Sequence, residues 1–199
     1  MKVILASQNR HKLEELSAIL CTLGIETVLE SDYGLDIDVE ETGTTFEENS
    51  FLKAEAVMRA SGMPTIADDS GLMVDALNGE PGVYSARYGG LSDTKARNEL
   101  LLRNLKDVPE EKRTAKFVTV ITCLWPDGRK LVARGECPGR ILFAPAGENG
   151  FGYDPLFYVE KYGKTFAELE PEVKNSISHR ARALQEFCKQ YREGNFNDK

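Results

Sequence analysis

A long apolar segment, a turn and a returning segment set the strongest constraint on the fold. Residues 117–124 are apolar on both faces of a predicted strand, which ends at the turn formers of 125–128. Residues 131–137 return from that turn, so the sequence predicts a β-hairpin. Pro138 and Gly139 are expected to break the returning strand before the sheet continues at 140–143. We assign this hairpin to the scaffold.

Before the hairpin, the chain reads as strands alternating with helices. Residues 2–6 form a short apolar run typical of a buried strand, and apolar residues at helical spacing follow it as far as Gly24. A second strand is predicted at 26–30. A second helix begins with Thr44 or Thr45 as its N-cap and leads into a third strand. This order predicts two successive strand–helix–strand units.

Two adjacent carboxylates follow the apolar part of the third predicted strand. Apolar residues run directly into Asp68, Asp69 and Ser70, which favours a strand that ends in a charged turn. Because consecutive strand residues point to opposite faces, both acids reach one ligand only if the strand has ended between them. Such an end could hold a metal ion, or it could be a solvated turn.

A polar loop joins the first predicted strand to the first predicted helix. Its residues are Ser7, Gln8, Asn9, Arg10, His11 and Lys12. The N-terminus of a helix offers N–H groups and a favourable dipole to an anion, and these side chains add donors. The loop could therefore bind phosphate groups, although the chain contains no Walker motif. The alternative is a plain N-cap by Ser7 or Asn9, with solvated charges.

An acidic segment precedes the second predicted helix and could face water or a metal ion. Its acidic residues are Asp32, Asp36, Asp38, Glu40 and Glu41. Lys53 lies two turns into that helix. Further along the chain, Arg87 could pair with a phosphate or with a neighbouring carboxylate. A third helix at 91–105, with Ser92 as its candidate cap, is assigned only to packing.

Glycines alternate with aromatic residues in the loop at 145–155. Glycine lets the backbone approach a ligand closely, Phe151 or Tyr153 could stack on a planar base, and Asp154 can accept hydrogen bonds. These parts suit a base pocket. The alternative is a wide turn that is pinned by Tyr153, with Phe151 and Phe157 in the core.

Three cations are predicted at the start of the last helix, where they oppose the helix dipole. They are Lys174, His179 and Arg180. Their position suggests a bound anion, although exposed basic residues there would cost little.

Composition excludes several classes of protein. The net charge of −7 argues against a nucleic-acid polymer as partner, because such binding needs a concentrated basic surface. No apolar run approaches the ~20 residues of a membrane span. The N-terminus lacks the features of a signal peptide, so we expect a cytoplasmic protein. The spacing of the four cysteines, with only two histidines, indicates neither a zinc site nor a disulfide framework.

Six segments taken together resemble the inosine triphosphate pyrophosphatase family. They are residues 7–12, 40–49, 67–71, 81–87, 150–154 and 178–180. The match extends in order from residue 2 to about residue 190, so chance agreement is far less plausible than for one short motif. The resemblance implies an α/β fold with an elongated mixed β-sheet flanked by helices. It also implies two lobes with a central active-site cleft, in one domain spanning residues 1–199 and assembled as a homodimer.

The resemblance further implies Mg²⁺-dependent hydrolysis of ITP, dITP and XTP to the monophosphate and pyrophosphate. In this family the nucleotide pool is cleared of non-canonical purines. Hypoxanthine and xanthine carry a 6-oxo acceptor where adenine carries an amino donor, so a donor in the pocket would leave adenine unmatched. Mg²⁺ needs only one or two carboxylates besides substrate phosphates, so no His/Cys cluster is expected.

Roles for individual residues follow from the same resemblance. Glu40 and Asp69 would hold the metal, with Glu41 as the adjacent alternative to Glu40, and Asp69 would also act as the general base for water. The substrate would be contacted by the loop from Ser7 to Lys12 and by Lys53 and Ser70. Base and sugar would lie against Phe151, Gly152, Tyr153 and Asp154. Lys174, His179 and Arg180 would contact phosphate or the purine 6-oxo edge.

Overall fold

The computed structural model describes residues 1–194 and 196, without the side chain of His11. Its strands are β1 (Lys2–Leu5), β2 (Glu26–Leu29), β3 (Thr65–Val74), β4 (Thr114–Leu124), β5 (Lys130–Ile141), β6 (Phe157–Val159) and β7 (Lys164–Thr165). Its α-helices are α1 (Arg10–Leu20), α2 (Phe46–Ser61), α3 (Thr94–Asn104), α4 (Pro171–Ile177) and α5 (His179–Glu193). Strands β6 and β7 have no counterpart in the sequence prediction.

The strands form one mixed sheet in the order β2-β1-β3-β4-β5-β6-β7. Strand β1 pairs in parallel with both β2 and β3. Strand β6 pairs in antiparallel fashion with β5 and with β7. The α/β class and the mixed sheet predicted above are therefore confirmed. In the part of the chain that the structure describes, no helix is long and apolar enough to cross a membrane.

The chain divides into two compact units. The first comprises residues 1–69, 119–135 and the segment from 182 onward, and the second comprises residues 70–118 and 136–181. Each unit has its own hydrophobic core. The assignment of the whole chain to one domain stays a prediction, as does the cleft between lobes.

In the first unit, neighbouring residues of β3 pack against different helices. Ile66 belongs to a core that also contains Leu16 of α1 and Phe187 of α5. Ala67 packs instead with Ala54 of α2. Successive strand residues therefore point to opposite faces of the sheet, as the pleat requires, and this alternation continues into the acidic pair.

The predicted end of the third strand was wrong, because β3 continues through Asp68 and Asp69 to Val74. Leu72 and Val74 are completely buried, and the Leu72 N–H donates to Ser85 Oγ at 2.9 Å. Burial of apolar side chains and a partner for the backbone thus extend the strand past its two acids. The charged-turn interpretation is replaced by an uninterrupted strand.

The β-hairpin is confirmed, since β4 and β5 are adjacent in the sheet and are joined by the turn at 125–129. The predicted break at Pro138 and Gly139 was wrong, because β5 runs without interruption from Lys130 to Ile141. The residue pairs between β6 and β5 are at Arg140 and Ile141, so Pro138 lies outside them and its missing N–H costs no bond in those pairs. A Cβ on Gly139 would lie 2.5 Å from the Tyr158 carbonyl oxygen, so glycine permits this close approach.

At the helix ends, one predicted cap is found, whereas the cap of α3 and the position of Lys174 differ from the sequence predictions. Helix α2 is capped by Thr45, one of the two predicted N-caps, which forms a capping box with Glu48. Helix α3 is capped by Asp93 rather than Ser92, because the Asp93 carboxylate accepts from the Ala96 N–H. Lys174 was expected at the start of the last helix, yet it lies in the last turn of α4, where the dipole favours a cation.

Candidate functional site

A pocket in the first unit lies where ligands bind in open α/β sheets. From β1 the chain passes to β2 on one side and then to β3 on the other, so the strand order reverses at β1. The pocket has a volume of about 370 Å³. Its lining includes Ser7 and Gln8 after β1, Glu30 after β2, and Asp68 of β3. The topology thus gathers the predicted phosphate loop and one of the two acids.

The predicted phosphate loop is shorter than the sequence indicated, because α1 already begins at Arg10. Asn9 Oδ1 accepts from the Lys12 N–H at 3.3 Å, and Ser7 Oγ accepts from the Asn9 N–H at 3.1 Å. The first turn of α1 contains no acidic residue. Asn9 therefore acts as a local cap, and the first turn of α1 contributes no acid of its own to the positive end of the helix dipole. The side chain of His11, a predicted substrate contact, lies outside the described part of the structure.

Lys12 forms an ion pair with Asp68. Its Nζ lies 2.8 Å from Asp68 Oδ1, and the Asp68 side chain is 1% exposed against 24% for Lys12. The charge of Lys12 reaches the pocket from the first turn of α1, and Asp68 meets it there from β3. The sequence did not decide the role of Asp68. In the structure, Asp68 is the ion-pair partner of Lys12, a residue that is predicted to contact phosphate.

Lys53 of α2 lies beside two further carboxylates. Its Nζ is 2.7 Å from Glu41 Oε1 and 3.5 Å from Asp69 Oδ1. Burial alone would lower the pKa of Lys53, but the charges of Asp69 and Glu41 outweigh burial and raise that pKa above its ordinary value. Lys53 is therefore held as a cation between the acidic segment and β3.

The alternation of β3 explains why the two adjacent acids meet different lysines. Asp68 lies on the face of Ile66, which packs against α1, and its partner Lys12 belongs to α1. Asp69 lies on the face of Ala67, which packs against α2, and it contacts Lys53 of α2. We predicted that Asp68 and Asp69 cannot both reach one ligand while the strand continues, and this arrangement is consistent with that prediction.

The acidic segment contacts the loop rather than facing only water. Gln8 Nε2 donates to Asp36 Oδ1 at 2.7 Å, and Arg10 lies 3.5 Å from Asp32. Glu40 is exposed, whereas its neighbour Glu41 is half-buried and bonded to Lys53. Three predicted substrate contacts, Gln8, Arg10 and Lys53, therefore have carboxylate partners in the acidic segment.

Glu30 is a buried carboxylate that sequence reasoning did not single out. It is 4% exposed and lines the same pocket. Burial, followed by the nearby charge of Asp36, raises the pKa of Glu30. Glu30 follows β2, and its place at the pocket could be predicted only once β2 was known to lie next to β1.

The aromatic loop lies in the second unit. Phe151 is 70% exposed, and Lys174 Nζ lies 4.8 Å from the centre of its ring. Tyr153 is buried, and its hydroxyl donates to the Ser85 carbonyl at 2.9 Å. Asp154 is also buried and accepts from the Phe151 N–H at 2.8 Å and from Lys174 at 2.6 Å. Tyr153 thus pins the loop, while Phe151 is outside the core and open to a ligand.

Three more predicted contacts also lie in the second unit. The His179 ring stacks on Phe117, with ring centres 4.9 Å apart and an interplanar angle of 15°. Arg180 is half-buried in the first turn of α5, and Ser70 is half-buried in β3. Stacking fixes the plane of the imidazole and so limits the directions in which its nitrogens can bond.

Comparisons with known proteins give the family. The model of the Ham1 family matches residues 3–190. A dITP/XTP pyrophosphatase of Lactiplantibacillus plantarum is 51% identical over 96% of this chain and 95% of its own length. A dITP/XTP pyrophosphatase of Mannheimia succiniciproducens is 53% identical over 92% of this chain and 94% of its own.

A solved structure agrees with these relatives. The Ham1 protein of Staphylococcus aureus superposes with a TM-score of 0.90 at 45% identity, covering 98% of this chain and 99% of its own. The resemblance inferred from the six sequence segments is thus confirmed. From the extent of the family match and the identity with these relatives, the chain belongs to the Ham1 family.

Proposed function

We propose that this protein is a Mg²⁺-dependent nucleoside triphosphate pyrophosphatase that hydrolyses dITP, XTP and ITP to the monophosphate and pyrophosphate. The observation that carries the proposal is the placement, in the first unit, of Lys12 with Asp68 and of Lys53 with Glu41 and Asp69. Relatives named dITP/XTP pyrophosphatase share about half of the sequence over nearly its whole length. In the cell, such an enzyme removes deaminated purines before they enter DNA or RNA.

Binding of the triphosphate falls to the cations of the pocket. Lys12 and Lys53 both line it, and the N-terminus of α1 adds the positive end of a helix dipole. Asp68 holds Lys12 in place, and the ion pair with Lys12 offsets the negative charge that Asp68 would present to a phosphate. The triphosphate would replace the carboxylates of Asp36 and Asp32 as partner of Gln8 and Arg10.

The donor set fits Mg²⁺. This ion prefers oxygen ligands and keeps several waters, so one or two carboxylates are sufficient. Within residues 1–194 and 196, no group of three or more His, Cys, Asp or Glu side chains is arranged to hold a metal. Glu41 is neutralised by Lys53, while the exposed carboxylate of Glu40 is accessible. We therefore assign Glu40 and Asp69 as metal ligands, where Mg²⁺ would neutralise charge on the phosphates.

Hydrolysis requires a water to be deprotonated. Water attacks the α-phosphorus, a new P–O bond forms, and the bond to the β-phosphate oxygen breaks so that pyrophosphate leaves. Asp69 accepts the proton of the attacking water. Lys12 and Lys53 neutralise the charge that accumulates on the departing pyrophosphate.

Recognition of the base is assigned to residues of the second unit. Phe151 offers an exposed ring, and His179 and Arg180 are side chains that can donate to a 6-oxo group. Adenine would present an amino donor to those donors, and its triphosphate would bind poorly. The homodimer and the cytoplasmic location stay predictions.

The test is pyrophosphate release from dITP, XTP and ITP, compared with ATP, GTP and dUTP, in Mg²⁺ and then in EDTA. We expect release from the first three nucleotides, little from the others, and none in EDTA. Equal release from ATP would contradict the assigned base recognition. Tight binding of dITP without any turnover would instead identify a nucleotide-binding module.

A further inference from the structure

The aromatic loop is fixed by contacts from outside itself. Within the loop, the Asp154 carboxylate accepts from the Phe151 N–H, and Lys174 of α4 donates to the same carboxylate from outside. From outside, the Ser85 carbonyl accepts the Tyr153 hydroxyl. These bonds hold the residues on either side of Gly152, which has a left-handed φ of 60°.

Gly152 is held by Asn98, a residue of α3. Asn98 Nδ2 donates to the Gly152 carbonyl oxygen at 3.1 Å, across 54 residues of sequence. A Cβ on Gly152 would meet no atom within 4 Å, so no neighbouring atom packs against that side of the residue. The carbonyl of Gly152 and the N–H of Tyr153 belong to one planar unit, so the Asn98 bond sets the direction of both.

The oxygen of the Asn98 amide, Oδ1, does not stabilise the fold. It is buried and makes no hydrogen bond within the described residues. A buried acceptor without a partner costs free energy. Leucine or alanine would avoid that cost in α3, which is anchored by the buried Leu101. The bond to Gly152 is therefore the contribution of Asn98 that an apolar residue would lack.

We propose that Asn98 is a positioning residue for recognition of the purine, acting through the Gly152–Tyr153 peptide next to Phe151. The inference rests on the proposed function, in which this loop contacts the base. Asn98 pre-organises the loop, so that binding of the base does not have to order it. The residue assists affinity for the base and takes no part in the phosphate chemistry.

The test compares Asn98→Ala with Asn104→Ala. Asn104 is a matched control, because it lies on the same helix and also donates its amide, at 2.8 Å, to the hydroxyl of Tyr88 outside the loop. For Asn98→Ala we expect the KM for dITP and the inhibition constant of IMP to rise about tenfold, the effect of one lost hydrogen bond. The kcat should change less than about twofold, and inhibition by pyrophosphate should not change.

Asn98→Asp is the second variant, with the same shape but no donor toward the Gly152 carbonyl. It should weaken IMP inhibition at least as much as Asn98→Ala does, because a carboxylate oxygen would face a carbonyl oxygen. Equal inhibition constants in Asn98→Ala, Asn104→Ala and the wild type would overturn the proposal. So would a loss confined to kcat.

Hydrogen–deuterium exchange provides a readout that does not depend on activity. The amides of residues 151–154 should exchange faster in Asn98→Ala than in Asn104→Ala. Unchanged exchange in the loop would overturn the proposal even if activity fell. A wild-type protein that neither hydrolyses dITP nor binds IMP would instead refute the proposed function, and that result is visible before any variant is made.

Discussion

Lys12 Nζ lies 2.8 Å from Asp68 Oδ1, and this contact joins the first turn of α1 to β3. The Asp68 side chain is almost completely buried, whereas Lys12 is partly open to the pocket. Asp68 is thus able to hold the lysine while leaving part of its ammonium group for a phosphate. A buried carboxylate of this kind depends on its partner for its charge to be tolerated.

Removing Lys12 should destabilise the fold as well as weaken substrate binding. Lys12→Met leaves Asp68 buried without its ammonium partner, so we expect the free energy of unfolding to fall by about 2 kcal/mol. Urea denaturation measures this loss. The double variant Lys12→Met/Asp68→Asn also removes the buried charge and should recover much of the stability, without activity. No recovery in the double variant would show that the two residues are not energetically coupled.

Replacement of the proposed base should separate folding from turnover. Asp69→Asn keeps the size of the side chain but removes its ability to accept a proton, so we expect kcat to fall at least about 100-fold. Circular dichroism and the urea midpoint should stay close to those of the wild type. Near-normal pyrophosphate release from this variant would remove Asp69 from the role of base.

The two neighbouring glutamates should respond differently to metal. In Glu40→Gln, the Mg²⁺ concentration that gives half-maximal activity should rise at least about tenfold, since a ligand is lost. In Glu41→Gln that concentration should change less, because Glu41 is bonded to Lys53. Titration of activity with MgCl₂ measures both. A larger rise of that concentration in Glu41→Gln than in Glu40→Gln would show that Glu41, and not Glu40, is the metal ligand.

Stability should decline in alkali because of the buried Tyr153. Burial raises the pKa of Tyr153 from 10.0 to about 12. Between these values the unfolded chain releases the phenolic proton while the folded protein retains it, so the free energy of unfolding falls as pH rises. The loss in the free energy of unfolding approaches about 2 kcal/mol as the pH nears the pKa of the folded protein.

Tyr153→Phe isolates this effect, since Tyr88 also has a raised pKa, chiefly because it is buried. The variant should be less stable than the wild type at pH 8, where it lacks the bond to Ser85. The difference should shrink as pH rises above 10. Urea denaturation across this range provides the measurement, and parallel curves for the two proteins would contradict the prediction.

Local signals in the sequence were sufficient where one segment determines its own structure. The cap at Thr45 and the hairpin turn depend on neighbouring residues, and both are found. The path of β3 was not predictable in this way. Its continuation depends on burial of Leu72 and on the bond from its N–H to Ser85, which is distant in sequence.

In the candidate site, too, some residues could be predicted from the sequence and others depended on contacts between distant segments. Residue types and the family resemblance identified Lys12, Lys53 and Asp69. They did not show that Asp68 would pair with Lys12, since this requires the face of each strand residue to be known. Asn98 gave no signal at all, because its contact with Gly152 exists only once α3 has packed against the loop.

The position of Lys174 restricts how Phe151 can be used. An ammonium group 4.8 Å from the ring centre occupies one face of that ring, and it is fixed there by its bond to Asp154. Only the opposite face is then accessible to a flat molecule. Phe151 is therefore a single-sided platform, able to stack one base at a time and unable to intercalate between two.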